Sequence, residues 1–215
     1  MAAQIHTLQP AVAAASCLSA MHTLGFTLFV TPVGCCGIAW SAAGLTGVQL
    51  PQSDENATRQ HMVRRFPGAG EITPPAAVAA AMRDVIAVLS GTPPELATLE
   101  HIALDLDAVP PFYQRVYAAA RQIAPGKTLS YGELARSLGE PGAARAVGQA
   151  LGHNPFAPVV PCHRVLAAGG RAGGFSAHGG VDLKLRLLLI ERAQFGSAGL
   201  FDDHDAAMPK AVPRG

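Results

Sequence analysis

Two adjacent prolines, Pro110-Pro111, constrain this chain more than any other feature. Proline fixes φ and lacks an N–H, so neither a strand nor a helix interior runs through the pair. The pair closes one region and opens another, and the charge changes sign across it. Residues 1–111 hold 4 basic and 8 acidic side chains, whereas residues 112–192 hold 10 basic and 4 acidic. A basic C-terminal half beside an acidic N-terminal half fits a nucleic-acid face on one domain, and it also fits an ordinary solvated surface.

The chain has 215 residues, 49% hydrophobic and 14% charged, which gives enough apolar material for one large or two small domains. No apolar run is long enough to span a membrane. Residues 1–53 carry no Asp, Glu, Lys or Arg. A secretory signal is not expected there, because a basic start is missing and Gln4, His6, Gln9 and Pro10 interrupt the apolar stretch. Residues 1–24 are read as a loose extension and residues 194–215 as a flexible tail, on a soluble, cytoplasmic protein. Of the four cysteines, Cys17, Cys35, Cys36 and Cys162, none forms a Cys-x-x-Cys pair, and the adjacent Cys35 and Cys36 suit neither a disulfide nor a zinc site. Reduced thiols are expected, and any cysteine that matters should act as a thiolate.

Alternating apolar residues predict strands at 26–30, 36–41 and 44–50, with a further short strand at 102–106. Helices are predicted over 56–66 and over 74–90, the second starting at a proline pair and stopping before Gly91. Together these make a small α/β domain over 25–107. Beyond the prolines, Phe112, Val116 and Ile123 share a stripe of a helix over 112–123. Ser130 and Glu133 form a capping box for a helix over 131–138. A turn over 139–142 leads to a helix over 143–152, so the pair reads either as a helix-turn-helix or as a plain packing unit. A glycine-rich loop over 169–180 precedes a last helix, 181–192, with Leu183, Leu187 and Ile190 facing inward.

A thiol becomes a nucleophile when its surroundings favour the thiolate. Cys162 is followed by His163 and Arg164 and flanked by prolines that fix the backbone. Adjacent residues diverge on a strand, so His163 would reach the sulfur across a turn or through one water. Glu191 on the last helix is placed to orient His163, giving a Cys-His-Glu relay drawn from two segments. On these residues alone the ordinary readings stand: a buried structural cysteine and a solvated carboxylate at a helix end.

The run Asn154-Pro155-Phe156-Ala157-Pro158-Val159-Val160-Pro161-Cys162-His163-Arg164-Val165 changes that balance. It resembles the active-site signature of the O6-alkylguanine-DNA alkyltransferases, the methylated-DNA–protein-cysteine methyltransferases. Pro111-Phe112, Gly126-Lys127-Thr128-Leu129-Ser130-Tyr131 and Arg145-Ala146-Val147-Gly148 resemble the family's helix-turn-helix, and Lys184, Leu187, Leu188 and Glu191 its last helix. The likeness is close over about 110–192 and loose over 25–107. It implies an α/β fold in which a small ribonuclease-H-like N-terminal domain (25–107) precedes a mostly helical, winged-helix-like alkyltransferase domain (108–193).

It also implies roles. Cys162 accepts the alkyl group, His163 acts through water as its base, Glu191 orients His163, and Asn154 holds the turn that presents the cysteine. Arg145 fills the gap left by the rotated nucleotide, while Tyr131 aids rotation and supplies a proton toward guanine N3. Ala143, Ala144 and Gly148 let the recognition helix approach DNA closely, although alanine is abundant throughout this chain. Val165, Ser176, Phe175 and Pro158 belong to the pocket for the extruded base. Extrusion is required because O6 lies inside the base stack. No cofactor and no metal are expected, since Cys17, Cys35 and Cys36 do not form a ligand set. The implied partner is double-stranded DNA containing O6-alkylguanine, met by a monomer.

Phe175 departs from the tyrosine common in the family, so one hydrogen bond to guanine is expected to be missing. At about 0.5–1.5 kcal/mol that implies slower transfer or weaker base selectivity, not loss of activity. The loop also carries the additional Ala177-His178-Gly179-Gly180. Three rivals make other demands. A non-catalytic lesion-binding relative would dispense with the nucleophile, a cysteine hydrolase would turn over repeatedly, and a transcription factor would read undamaged sequence.

Overall fold

The computed structural model describes residues 23–93 and 98–194. Cys17, most of the extension at 1–24 and nearly all of the tail at 194–215 lie outside the described residues.

The described residues begin with three antiparallel strands, β1 (Gly25–Thr31), β2 (Gly34–Trp40) and β3 (Leu45–Gln49). Helix α1 (Glu55–Arg65) then returns the chain to β4 (Gly70–Glu71), which pairs parallel to β1. The sheet order is β3-β2-β1-β4. Asp54 caps α1 by accepting from the Ala57 amide, and Glu55 and Arg64-Arg65 complement the helix dipole at its two ends. Helix α2 (Ala76–Leu89) follows, beginning after Pro74-Pro75. Each face of the sheet is covered. Met62 and Phe66 pack on Phe26 and Ala39 on one face, while α2 joins the large core beneath Ile38, Trp40 and Val48 on the other.

The strand expected at 102–106 is reduced to one bridge, Leu45 with Leu104. The Leu45 amide donates to the Ala103 carbonyl at 3.0 Å, and the Asp105 amide donates to the Leu45 carbonyl at 2.8 Å. The chain approaches so closely here that a Cβ on Gly44 (φ 150°) would sit 2.7 Å from the Ala103 oxygen. Asp105 then turns away to accept from the Ser41 hydroxyl at 2.6 Å.

Pro111 occupies the first turn of α3 (Pro111–Arg121), where a missing N–H costs nothing. The buried stripe of α3 is Tyr113, Val116, Tyr117 and Ala120, so Phe112 sits at its margin and not at its centre. Next come β5 (Leu129–Ser130), α4 (Tyr131–Ser137) and α5 (Ala144–Gly152). The capping box forms as expected: the Ser130 hydroxyl accepts from the Glu133 amide, and the Glu133 carboxylate accepts from the Ser130 amide at 2.7 Å. A single 3-10 turn, Cys162–Arg164, leads into β6 (Val165–Leu166), which pairs parallel to β5. The last helix among the described residues is α6 (Gly180–Ile190). The described residues therefore form a mixed α/β fold with a small sheet and six α-helices. The main apolar core is continuous from β2, β3 and α2 through α3, α5 and the Cys162 turn.

Candidate active site

The pairing of β5 with β6 builds the site. β6 begins immediately after Arg164 and β5 ends immediately before Tyr131, so one short ladder brings the cysteine turn beside the start of α4. The turn itself is held from upstream. The Asn154 side chain donates to the Val160 carbonyl at 2.7 Å and accepts from the Phe156 amide at 3.0 Å. The Cys162 amide donates to the Val160 carbonyl at 2.8 Å.

Cys162 is 7% exposed. Burial pushes its thiol pKa up; a hydrogen bond from Asn154 and the charge of Lys184 oppose that shift. It lines a cavity of about 470 Å³, bounded also by Asn154, Ala157, Phe175, Ser176 and His178, and by Gln49 and Arg65 from the sheet side. That volume falls within the range of about 300–1,000 Å³ usual for small-molecule sites.

His163 lies on the 3-10 turn, not on a strand, and is fully buried. Its Nε2 meets Glu191 Oε1 at 3.0 Å, while Nδ1 is buried without a protein partner. Burial pushes its pKa down, against the pull of Glu191, so the ring rests neutral. Glu191 is shared between the His163 ring and the Arg164 guanidinium. Arg164 Nε donates to Oε2 at 2.9 Å and Arg164 Nη2 to Oε1 at 2.7 Å. Burial alone would raise the carboxyl; its bonds and charge pairing with His163 and Arg164 outweigh this and hold it at about 2.

Arg164 was expected only as a neighbour of the thiol, yet it is the counter-ion of the relay and is 6% exposed. Lys184 is fully buried, with Nζ donating to the Val165 carbonyl at 2.7 Å and standing 5.9 Å over the Tyr131 ring. Burial lowers its pKa to about 8, and the nearby thiol opposes the shift. A signal for it existed. Lys184, Leu187, Leu188 and Glu191 fall at i, i+3, i+4 and i+7, one face of a helix, whereas Leu183 and Ile190 are only half-buried.

Tyr131 is half-buried against Gly148 and Gly173, and its hydroxyl pKa is raised by burial and by the charge of Cys162. Arg145 stands exposed on α5, with Ala144 and Gly148 half-buried on the same helix and Ala143 half-buried at its N-cap. Val165 is buried, and it is its carbonyl that is engaged, by Lys184. Pro158 is not brought to the thiol's cavity. It lines a separate crevice with Val159, Pro161 and Arg164, and Ala157 takes its place beside Cys162. Among the described residues no group of three or more His, Cys, Asp or Glu is placed to hold a metal.

Comparison with known proteins gives the family. The model of the 6-O-methylguanine DNA methyltransferase DNA-binding domain matches residues 111–193. The methylated-DNA–protein-cysteine methyltransferase of Mycolicibacterium paratuberculosis is 47% identical over 129 residues, 60% of this chain and 74% of the relative. That of Mycobacterium tuberculosis is 38% identical over 165 residues, 76% of this chain and 90% of the relative. The crystal structure of Mycobacterium tuberculosis OGT in complex with DNA superimposes with a TM-score of 0.62 at 35% identity, covering 78% of this chain and 92% of that one. The O6-methylguanine-DNA methyltransferase of Pyrococcus kodakaraensis superimposes at 0.59 with 25% identity, covering 77% and 98%. With a relative at 38% identity covered over nine-tenths of its length, the chain belongs to the methylated-DNA–protein-cysteine methyltransferases.

Proposed function

We propose that this chain repairs alkylated DNA by direct reversal, moving the alkyl group from guanine O6 to the Cys162 sulfur once and irreversibly. The observation that carries the reading is a buried thiol, held by Asn154 and next to a His163–Glu191–Arg164 array, opening on a cavity of about 470 Å³.

In the first step the thiol proton leaves for His163 Nδ1, directly or through one water. Nε2 is engaged by Glu191, so Nδ1 is the nitrogen that remains free to accept. The imidazolium so formed is stabilised by the Glu191 carboxylate, and the thiolate by the Lys184 ammonium. The sulfur lone pair attacks the alkyl carbon, the carbon–O6 bond breaks, and guanine leaves with that electron pair. Tyr131 keeps its proton at neutral pH and donates it toward N3 of the departing base. The proton taken up by His163 restores the phenol. The thioether product has no leaving group, so the protein is spent.

The base reaches the sulfur only after rotating out of the duplex. The α4–α5 pair acts as a helix-turn-helix whose small residues, Ala143, Ala144 and Gly148, allow close approach while Arg145 enters the stack. Val165, Phe175 and Ser176 contribute to the pocket for the base. Of the ten basic side chains of 112–192, Arg164 and Lys184 are buried in the site, and the other eight suit a phosphate backbone. We further read 25–107 as a ribonuclease-H-like domain and 108–193 as a winged-helix-like one, supported by the β3-β2-β1-β4 order with β4 parallel to β1. The partner is duplex DNA bearing O6-alkylguanine, bound by a monomer in the cytoplasm. Among the described residues no helix is long and apolar enough to cross a membrane.

Intact-mass measurement after mixing with O6-methylguanine duplex tests the function. One methyl is expected on the Cys162 peptide, and Cys162→Ala is expected to bind the duplex without gaining mass. Wild-type binding with no added mass would instead describe a lesion-binding protein, and repeated turnover a hydrolase.

A further inference from the structure

The active-site turn is gripped from the sheet. The Pro155 carbonyl accepts two hydrogen bonds, one from the Val48 amide of β3 at 2.9 Å and one from Arg65 Nη2 of α1 at 2.9 Å. Arg65 Nη1 also donates to Gln49 Oε1 at 3.3 Å, and its guanidinium stands 5.0 Å over the Phe66 ring. These acceptors are all neutral. Burial lowers the Arg65 pKa to about 10. A desolvated cation without a carboxylate is costly, and a charged donor makes a stronger bond to a carbonyl than a neutral one.

The fold makes room for this side chain. A Cβ on Gly47 would lie 2.8 Å from Arg65 Nη2 and 2.6 Å from Phe66 Cζ, so glycine in β3 opens the passage through which Arg65 reaches Pro155. Pro155 is bonded to Asn154, whose side chain accepts from the Phe156 amide and donates to the Val160 carbonyl, the same carbonyl that accepts from the Cys162 amide at 2.8 Å. The path is therefore short and continuous: α1, Pro155, Asn154, Cys162.

We infer that Arg65 is a positioning residue for alkyl transfer, acting through Pro155 and Asn154 to fix the orientation of the Cys162 sulfur. The inference rests on the proposed alkyl-transfer activity. It makes the sheet half of the molecule a determinant of thiol reactivity, not only a support for the helical half. Arg65 lines the same cavity as Cys162 but holds backbone on its far side.

The test is single-turnover transfer from O6-methylguanine duplex over a range of DNA concentrations, which separates the maximal rate from Kd. Arg65→Met should lower the maximal rate roughly tenfold, the worth of one charged hydrogen bond, and leave Kd for DNA unchanged. Arg65→Lys, which keeps charge and one donor, should recover most of that loss. Gly47→Ala, which crowds the guanidinium without removing it, should slow transfer in the same way. If Arg65→Met does not melt cooperatively, Arg65→Lys and Gly47→Ala decide: wild-type rates in both overturn the inference. A folded Arg65→Met with an unchanged maximal rate, or with only Kd altered, overturns it as well. A wild-type chain that transfers nothing refutes the underlying activity instead, so the two failures are distinct.

Discussion

Three buried charges within the relay explain most of the site's behaviour: Glu191, Arg164 and Lys184. Glu191 divides its carboxylate between His163 and Arg164, so replacing it changes two things together. Glu191→Gln should lower the transfer rate, because the imidazolium formed during proton removal loses its counter-charge. It should also reduce stability by about 3 kcal/mol, because the Arg164 guanidinium is then buried without an anion. Chemical denaturation and single-turnover kinetics on one preparation check both effects, and full activity with unchanged stability would contradict this assignment. These residues also mark the limit of what the sequence made legible. Cys162, His163 and Glu191 stood out as candidates by residue type and position, and Asn154 through the family resemblance alone. Arg164 and Arg65 gave no such sign, because a basic side chain in a sequence reads as solvated surface until the fold shows its partners, whereas Lys184 was marked only by its helical spacing with Leu187, Leu188 and Glu191. Pro158 lines a separate crevice and Ala157 the cavity, because residues 155–159 run through turns in which sequence does not say which side chain faces the cavity.

At the level of elements, the strands and helices were readable because their signals are local. The three strands of the meander, the capping box at Ser130 and the helix ends came within a residue or two of expectation. The two-residue β4 and the two-residue ladder of β5 with β6 were not readable, since such short pairings are set by tertiary packing and carry no periodicity. The ladder nonetheless places Tyr131 beside the cysteine turn. The α4–α5 pair presents Arg145 to solvent, away from the buried face formed by Val147, Ala150 and Leu151. Arg145→Ala should therefore slow repair in duplex DNA by roughly tenfold or more, because nucleotide extrusion costs a few kcal/mol. Reaction with a free O6-alkylguanine base, which needs no extrusion, should change little. Equal slowing on the two substrates would remove Arg145 from that role.

For the molecule as a whole, the site is tied to global stability through protonation. His163 has a folded pKa depressed below 6.5, so the unfolded chain binds its proton first and stability falls as the pH drops through that region. Glu191 is depressed from 4.5 to about 2, so its contribution is fully present above about 4.5 and is lost as the pH falls toward 2. Acid should thus weaken the fold in two stages, and the stability gap between wild type and Glu191→Gln should close across the lower one. Urea midpoints measured from pH 7.5 to 3 would show this; a gap that stayed constant below pH 4 would count against it. The sheet's boundaries carry a separate consequence for encounters between molecules. β3 lies at one margin of the sheet, but its outward backbone is already occupied, at Leu45 by Ala103 and Asp105 and at Val48 by Pro155. Among the described residues β1 has no such cover past Phe26, where its pairing with β4 ends. A foreign strand seeking a template would therefore find it on β1, at the margin of the sheet opposite β3 and the Pro155 contact.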